Sequence, residues 1–144
     1  MCYAMDVAKY ILWYCTQKGA PISNLKLQKI LYFAWIDYYN VTATYLFSDN
    51  ICAWQFGPVV PNVYYNYCQY SNLNIYINDK PLVAVDLDVL NIAIDNYRTM
   101  TVSALVKKSH QAGKPWYEIY KNGSGNRQII PFDLIKRLEC AENR

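Results

Sequence analysis

The sequence predicts a mainly α-helical protein: a compact single-domain bundle of about five to seven helices with a short β-hairpin or extended segment. Along most of the 144 residues, apolar side chains recur at the spacings of three and four that place them on one face of a helix. Serine, asparagine, aspartate or threonine precedes several of these segments, and glycine or proline follows some of them, as at the ends of helices. Strand-forming residues around turn signals occur in two stretches, 41–57 and 73–85.

The first two helices are predicted near the N-terminus. Helical spacing covers residues 3–18, and Gly19 ends that helix. A second helix begins at Ser23 or Asn24 and is apolar on nearly every side, so we expect it to be the central, largely buried helix. The polar residues expected at its solvent-exposed edge are Lys26, Gln28, Lys29 and Asp37.

The later helices are predicted from the residues at which they begin. A third helix is expected after Gly57 and Pro58, because proline presets the backbone angle of a first helical turn. Asp86 or Asp88 is expected to cap a fourth helix, and Thr101 a fifth. The remaining predictions are a short helical turn over residues 116–120 and a final helix over residues 131–138.

The two irregular stretches are predicted differently. Residues 41–57 are expected to form a loop with short extended pieces, since Val41 favours a strand and Gly57 interrupts one. For residues 73–85, a short hairpin and an irregular crossing both fit the turn signal at residues 78–81.

Length and charge limit the organisation and the function classes. A chain of 144 residues fits one domain, so we expect residues 1–144 to form a single unit with no fused DNA-binding or effector domain. The net charge of +3 is well below that of a typical nucleic-acid-binding domain. Basic and aromatic residues also do not alternate as they do in a groove that binds single-stranded nucleic acid. Nucleic acid is therefore a minor alternative among the partners.

The cysteines and the absence of export signals indicate the compartment. Five cysteines occur without a Cys-x-x-Cys pair, a pattern typical of reduced thiols. There is no signal peptide and no apolar run long enough to cross a bilayer. We therefore expect a cytoplasmic protein that does not bind membranes.

Catalytic and metal chemistry have little support in the sequence. His110 is the single histidine, and no acidic residue lies close to it in the chain to orient its imidazole. A zinc site would need scattered cysteines to converge on it. We expect His110 to have a hydrogen-bonded packing role, and we expect no enzymatic activity, catalytic residue, metal or cofactor. A hydrolase or metal enzyme centred on His110 is the weakest alternative.

The segment from Trp54 to Pro61 is the most distinctive in the chain. Two aromatic residues precede Gly57 and Pro58, and two valines and a second proline follow. Glycine permits backbone angles that are closed to other residues, and proline restricts them. This combination predicts a rigid corner that leads into a helix.

Three blocks of the sequence together resemble a known family, the Panacea antitoxin domain, once catalogued as a domain of unknown function in phage-associated proteins. The blocks are residues 24–34 (NLKLQKILYFA), residues 53–61 (AWQFGPVVP), and the Ser109-His110 pair with Pro115-Trp116. The resemblance implies a mainly helical fold and neutralisation of a small toxic protein, encoded in an adjacent gene, by direct binding. The alternative function is a phage or mobile-element regulator or adaptor that binds a host defence or protease component.

Two interpretations of the motif residues stay open. They form either a structural corner or an aromatic-rimmed groove in which free amides after Gly57 receive an anionic group. The candidate partner-binding residues are Lys26, Lys29, Tyr32, Trp54, Phe56, Gly57, Pro58, His110 and Trp116.

Overall fold

A computed structural model describes residues 2–140 and confirms the mainly helical class. In these residues there are seven α-helices and four short strands. The helices are α1 (Ala4–Gln17), α2 (Asn24–Thr42), α3 (Pro61–Tyr67), α4 (Leu87–Arg98), α5 (Val102–Ser109), α6 (Pro115–Tyr120) and α7 (Phe132–Glu139). The strands are β1 (Ile22–Ser23), β2 (Cys52–Trp54), β3 (Gly57–Val59) and β4 (Asn74–Ile75), and short 3-10 helices follow α3 and α6.

The ends of the helices follow the predicted capping residues. The side chains of Ser23, Asp86 and Thr101 each accept a hydrogen bond from a main-chain N–H in the first turn of α2, α4 and α5. Pro131, which was predicted to lie in the first turn of the last helix, is instead the N-cap of α7, and the helix begins one residue later. Side-chain capping therefore marks the start of three of the seven α-helices in the described residues.

Helix α2 is the central element, as predicted. It contacts α1, α3, α4, α5, α7 and strand β3, and twelve of its nineteen residues are buried. Trp35 of α2 is fully buried and donates its indole N–H to the carbonyl of Phe47 at 2.9 Å. This bond holds the loop after α2 against the helix.

The β structure differs in part from the prediction. The hairpin is formed by β2 and β3, within the stretch expected to be a loop with extended pieces, so Gly57 and Pro58 belong to a strand and α3 begins at Pro61. Of the two alternatives for residues 73–85, the structure has the irregular crossing. Strand β4 pairs with β1, and Ile77 N–H donates to Thr16 Oγ1 at 3.2 Å.

Candidate functional site

The three sequence blocks meet at the β2–β3 hairpin. Strand β3 lies against α2 and α5, and α6 contacts β2. We call the cluster at this place the motif corner; it consists of the buried residues Gln28, Lys29, Gly57, Pro58, Ser109 and Trp116 and the half-buried His110.

Gly57 allows β3 to approach α2 and α5 closely. Its φ is +118°, in the region that favours glycine. A Cβ at this position would lie 2.8 Å from Ser109 Oγ and 3.0 Å from Lys29 Nζ. Glycine is therefore required both by the backbone conformation and by the space.

Lys29 is fully buried, and the expectation that it lies at a solvent-exposed edge was wrong. Its ammonium group donates to the carbonyl oxygen of Pro58 at 3.1 Å. Burial lowers the pKa of Lys29 to about 7, since a charged amine is poorly solvated in the interior. The side chain is buried because α2 is covered on this side by β3, which also supplies the acceptor.

Gln28 is also buried, contrary to expectation. Its Oε1 accepts from Val60 N–H at 2.9 Å, and its Nε2 donates to Asn24 Oδ1 at 3.1 Å. Asn24 Nδ2 in turn donates to the carbonyl of Tyr64 at 3.0 Å. These bonds connect α2 to the start of α3, and they occupy the Val60 amide, one of the amides after Gly57 that the groove interpretation would leave free for an anion.

His110 and Trp116 form a stacked pair that supports the hairpin. Their rings are 3.7 Å apart and almost parallel, and Trp116 Nε1 donates to the carbonyl of Trp54 at 2.7 Å. Burial and the charge of Lys29 lower the pKa of His110, while its interaction with the Phe56 main chain acts in the opposite direction. His110 Nε2 is buried and has no hydrogen-bond partner among residues 2–140. The histidine therefore has a packing role, with one ring nitrogen unsatisfied.

An aromatic groove lies on the outer side of the hairpin. It encloses about 550 Å³, and we call it the hairpin groove. Phe56 is 57% exposed and Tyr65 is 55% exposed, whereas Trp54 is half-buried. The lining side chains of the described residues include no aspartate or glutamate; the apolar and aromatic ones are Leu25, Trp54, Phe56, Val59, Tyr64, Tyr65 and Val102.

Arg127 completes the rim of the hairpin groove. Its guanidinium carbon lies 4.1 Å from the centre of the Trp54 ring, and its Nη1 donates to the Tyr65 hydroxyl at 3.1 Å. Its main-chain N–H donates to the Ala53 carbonyl at 2.6 Å. The segment after α6 is thereby attached to strand β2.

The predicted site residues divide between the interior and the surface. Trp54 and Phe56 line the hairpin groove, whereas Gly57, Pro58, Lys29, His110 and Trp116 lie in or beneath the hairpin. The sequence reasoning missed Tyr64, Tyr65 and Arg127 as groove residues. The tyrosine pair begins three residues after the Trp54–Pro61 block and offered a signal, but Arg127 had none.

Lys26 and Tyr32 do not line the hairpin groove. Lys26 donates to the carbonyl of Arg98 at the end of α4 at 2.7 Å, and burial lowers its pKa. Tyr32 is buried, and its pKa lies well above the ordinary value because of burial and the neighbouring Glu139 carboxylate. The positions of these two side chains indicate packing roles.

Metal-binding and membrane-spanning features were also sought in the described residues. Among residues 2–140, no three or more histidine, cysteine, aspartate or glutamate side chains are grouped closely enough to hold a metal ion. Within the same residues, every helix falls short of the length and apolar character needed to cross a bilayer.

Comparison with known proteins identifies the family. Residues 27–117 match the family model described as "Antitoxin SocA-like, Panacea domain". The chain is 33% identical over 138 aligned positions to the protein named Antitoxin SocA of Caulobacter vibrioides, covering 85% of this chain and 72% of that protein. No solved structure significantly matches this chain. The protein belongs to the SocA-like Panacea domain family, as its three sequence blocks indicated.

Proposed function

We propose that this protein is a non-enzymatic antitoxin that neutralises a protein toxin, encoded in an adjacent gene, by binding it directly through the hairpin groove. The observation that carries the proposal is the aromatic surface beside the motif corner, formed by the exposed rings of Phe56 and Tyr65 and the half-buried ring of Trp54. Aromatic side chains at the centre of an interface often supply most of its binding free energy. The relative named Antitoxin SocA supports the same class of function.

The organisation of the motif corner supports a binding role over a catalytic one. Lys29 and Gln28 are buried and use their polar atoms to hold the hairpin. A general base or nucleophile must reach a substrate, and these groups are covered by the strand that they support. The corner thus acts as a rigid base that fixes Phe56 at the hairpin turn.

Coexpression tests the proposal. The product of the adjacent gene is expressed alone and with this protein, and growth and copurification are measured. We expect toxicity alone, and growth with a stable complex when both are present. Phe56→Ala should weaken the complex by about 2 kcal/mol or more without lowering Tm, because this ring is more than half exposed.

Tyr76→Ala is the matched control, since Tyr76 is 64% exposed and lies outside the hairpin groove. Equal loss of binding in both variants, or no loss in Phe56→Ala, would contradict binding through the groove. If the adjacent product is harmless and a host protease or defence protein copurifies instead, the regulator or adaptor function replaces the antitoxin function.

A further inference from the structure

Among residues 2–140, Arg127 is the single charged side chain on the lining of the hairpin groove, and it forms no ion pair with an acidic residue. Arg127 is exposed. Apart from Nη1, which donates to Tyr65, its guanidinium donors have no acceptor in the described residues. Arginine is the residue best suited to donate two parallel hydrogen bonds to a carboxylate.

Arg127 keeps this position although its backbone conformation is unfavourable. Arg127 has φ +70°, a conformation that glycine adopts more easily. The Arg127–Ala53 main-chain bond and the stacking on Trp54 hold the guanidinium over the ring. Strained residues of this kind are found preferentially at functional sites, because the surrounding structure must enforce them.

The residues around Arg127 indicate which side chains would lie next to a carboxylate bound by its guanidinium. Leu25, Val59 and Val102 supply apolar surface next to the aromatic rings, while the remaining lining residues are neutral and polar. A nucleic-acid strand would bring several phosphates and would call for several cations, whereas Arg127 is the one cationic residue on the described lining of the groove. A protein segment with one acidic side chain next to an apolar one matches both features.

We propose that Arg127 is the specificity-determining residue of the hairpin groove and that it binds an aspartate or glutamate flanked by an aromatic or aliphatic residue in a protein partner. The inference rests on the proposed function, since the segment would belong to the toxin. The carboxylate pairs with the free guanidinium donors, and the neighbouring apolar side chain packs against Phe56 and Trp54. The groove thereby selects a short acidic and apolar motif.

To test this inference, peptides that bind the full chain are selected from a library of displayed random peptides. We expect the enriched peptides to carry an aspartate or glutamate beside an apolar residue. Arg127→Gln should weaken their binding by about tenfold or more, as expected for the loss of a charge-assisted hydrogen bond. Arg137→Gln is the matched control, because Arg137 is exposed on α7 and does not line the groove.

A second variant separates binding from folding. Arg127→Gly suits the positive φ and removes the guanidinium, so it should keep Tm and lose the peptides. The inference is overturned if no acidic peptide is enriched, if Arg127→Gln binds the enriched peptides as tightly as the original chain does, or if oligodeoxythymidine binds through Arg127 instead.

The two proposals fail in different ways. If coexpression rescues growth equally with Arg127→Gln and with the unaltered chain, the antitoxin function stands and the specificity-determining role proposed for Arg127 is wrong. If acidic peptides bind through Arg127 but the adjacent product is neither toxic nor bound, the groove specificity stands and the toxin assignment is wrong.

Discussion

At the scale of single residues, the burial of Lys29 bears directly on stability. Burying an ammonium group has a high desolvation cost, and here a single hydrogen bond, to the Pro58 carbonyl at 3.1 Å, partly offsets it. The low pKa of Lys29 means that the interior favours the neutral amine. The same cluster contains Gly57, whose missing side chain leaves the space for Lys29 and Ser109.

Gly57→Ala should lower the free energy of unfolding by about 2 kcal/mol or more, since it combines a strained φ with a contact of 2.8 Å to Ser109 Oγ. Gly113→Ala is the control. Gly113 also has a positive φ, +82°, but nothing lies within 4 Å of its added Cβ. Urea denaturation of both variants measures the difference, and equal losses would show that crowding in the motif corner contributes nothing.

At the scale of elements, α6 supports the β2–β3 hairpin through one indole. Trp116 is buried, stacks on His110 and Tyr120, and donates to the carbonyl of Trp54 at 2.7 Å. Aromatic stacking and a buried hydrogen bond act together here, so the hairpin that carries Phe56 is fixed from beneath.

Trp116→Phe keeps an aromatic ring and removes the N–H donor. We expect a loss of about 1 to 3 kcal/mol, because the Trp54 carbonyl loses its partner in a buried place. Trp13→Phe is the control, since Trp13 is half-buried and its indole N–H makes no hydrogen bond within the described chain. Thermal unfolding of the two variants gives the comparison, and similar losses would contradict a specific contribution from the Trp116 bond.

At the scale of the whole molecule, buried titratable groups make stability depend on pH. The pKa of Lys29 is about 7 in the folded protein against 10.5 for an ordinary lysine, so the unfolded chain binds more protons between these values. Stability therefore increases as pH rises through this window. Cys15 acts in the opposite direction above about pH 9, since burial raises its pKa to about 11 and the unfolded thiol ionises first.

Between pH 7 and pH 9 we expect the free energy of unfolding to rise by up to about 1.4 kcal/mol for each unit of pH. Lys29→Met should flatten this slope, because methionine does not titrate, and Lys107→Met, at an exposed position, should leave it unchanged. Urea denaturation at pH 7, 8 and 9 measures the slope for each protein. A slope that persists in Lys29→Met would show that another group is responsible.

The local sequence was sufficient to predict most of the helices and the family. Ser23, Asp86 and Thr101 cap helices from within the same turn, and helical apolar spacing does not depend on distant residues. The central position of α2 was also predictable, since its apolar residues leave almost no polar face. The three motif blocks identified the family from their order and residue types alone.

Tertiary structure alone decided which polar residues are buried and which surface forms the groove. Lys29 is covered because β3 crosses α2, and the strand pairing of β1 with β4 joins segments about fifty residues apart. Arg127 reaches Trp54 from a loop more than seventy residues later, a distance along the chain at which no periodic pattern operates. Caps and amphipathic faces depend on neighbours within one or two turns, whereas burial and groove formation depend on which distant segments the fold brings together.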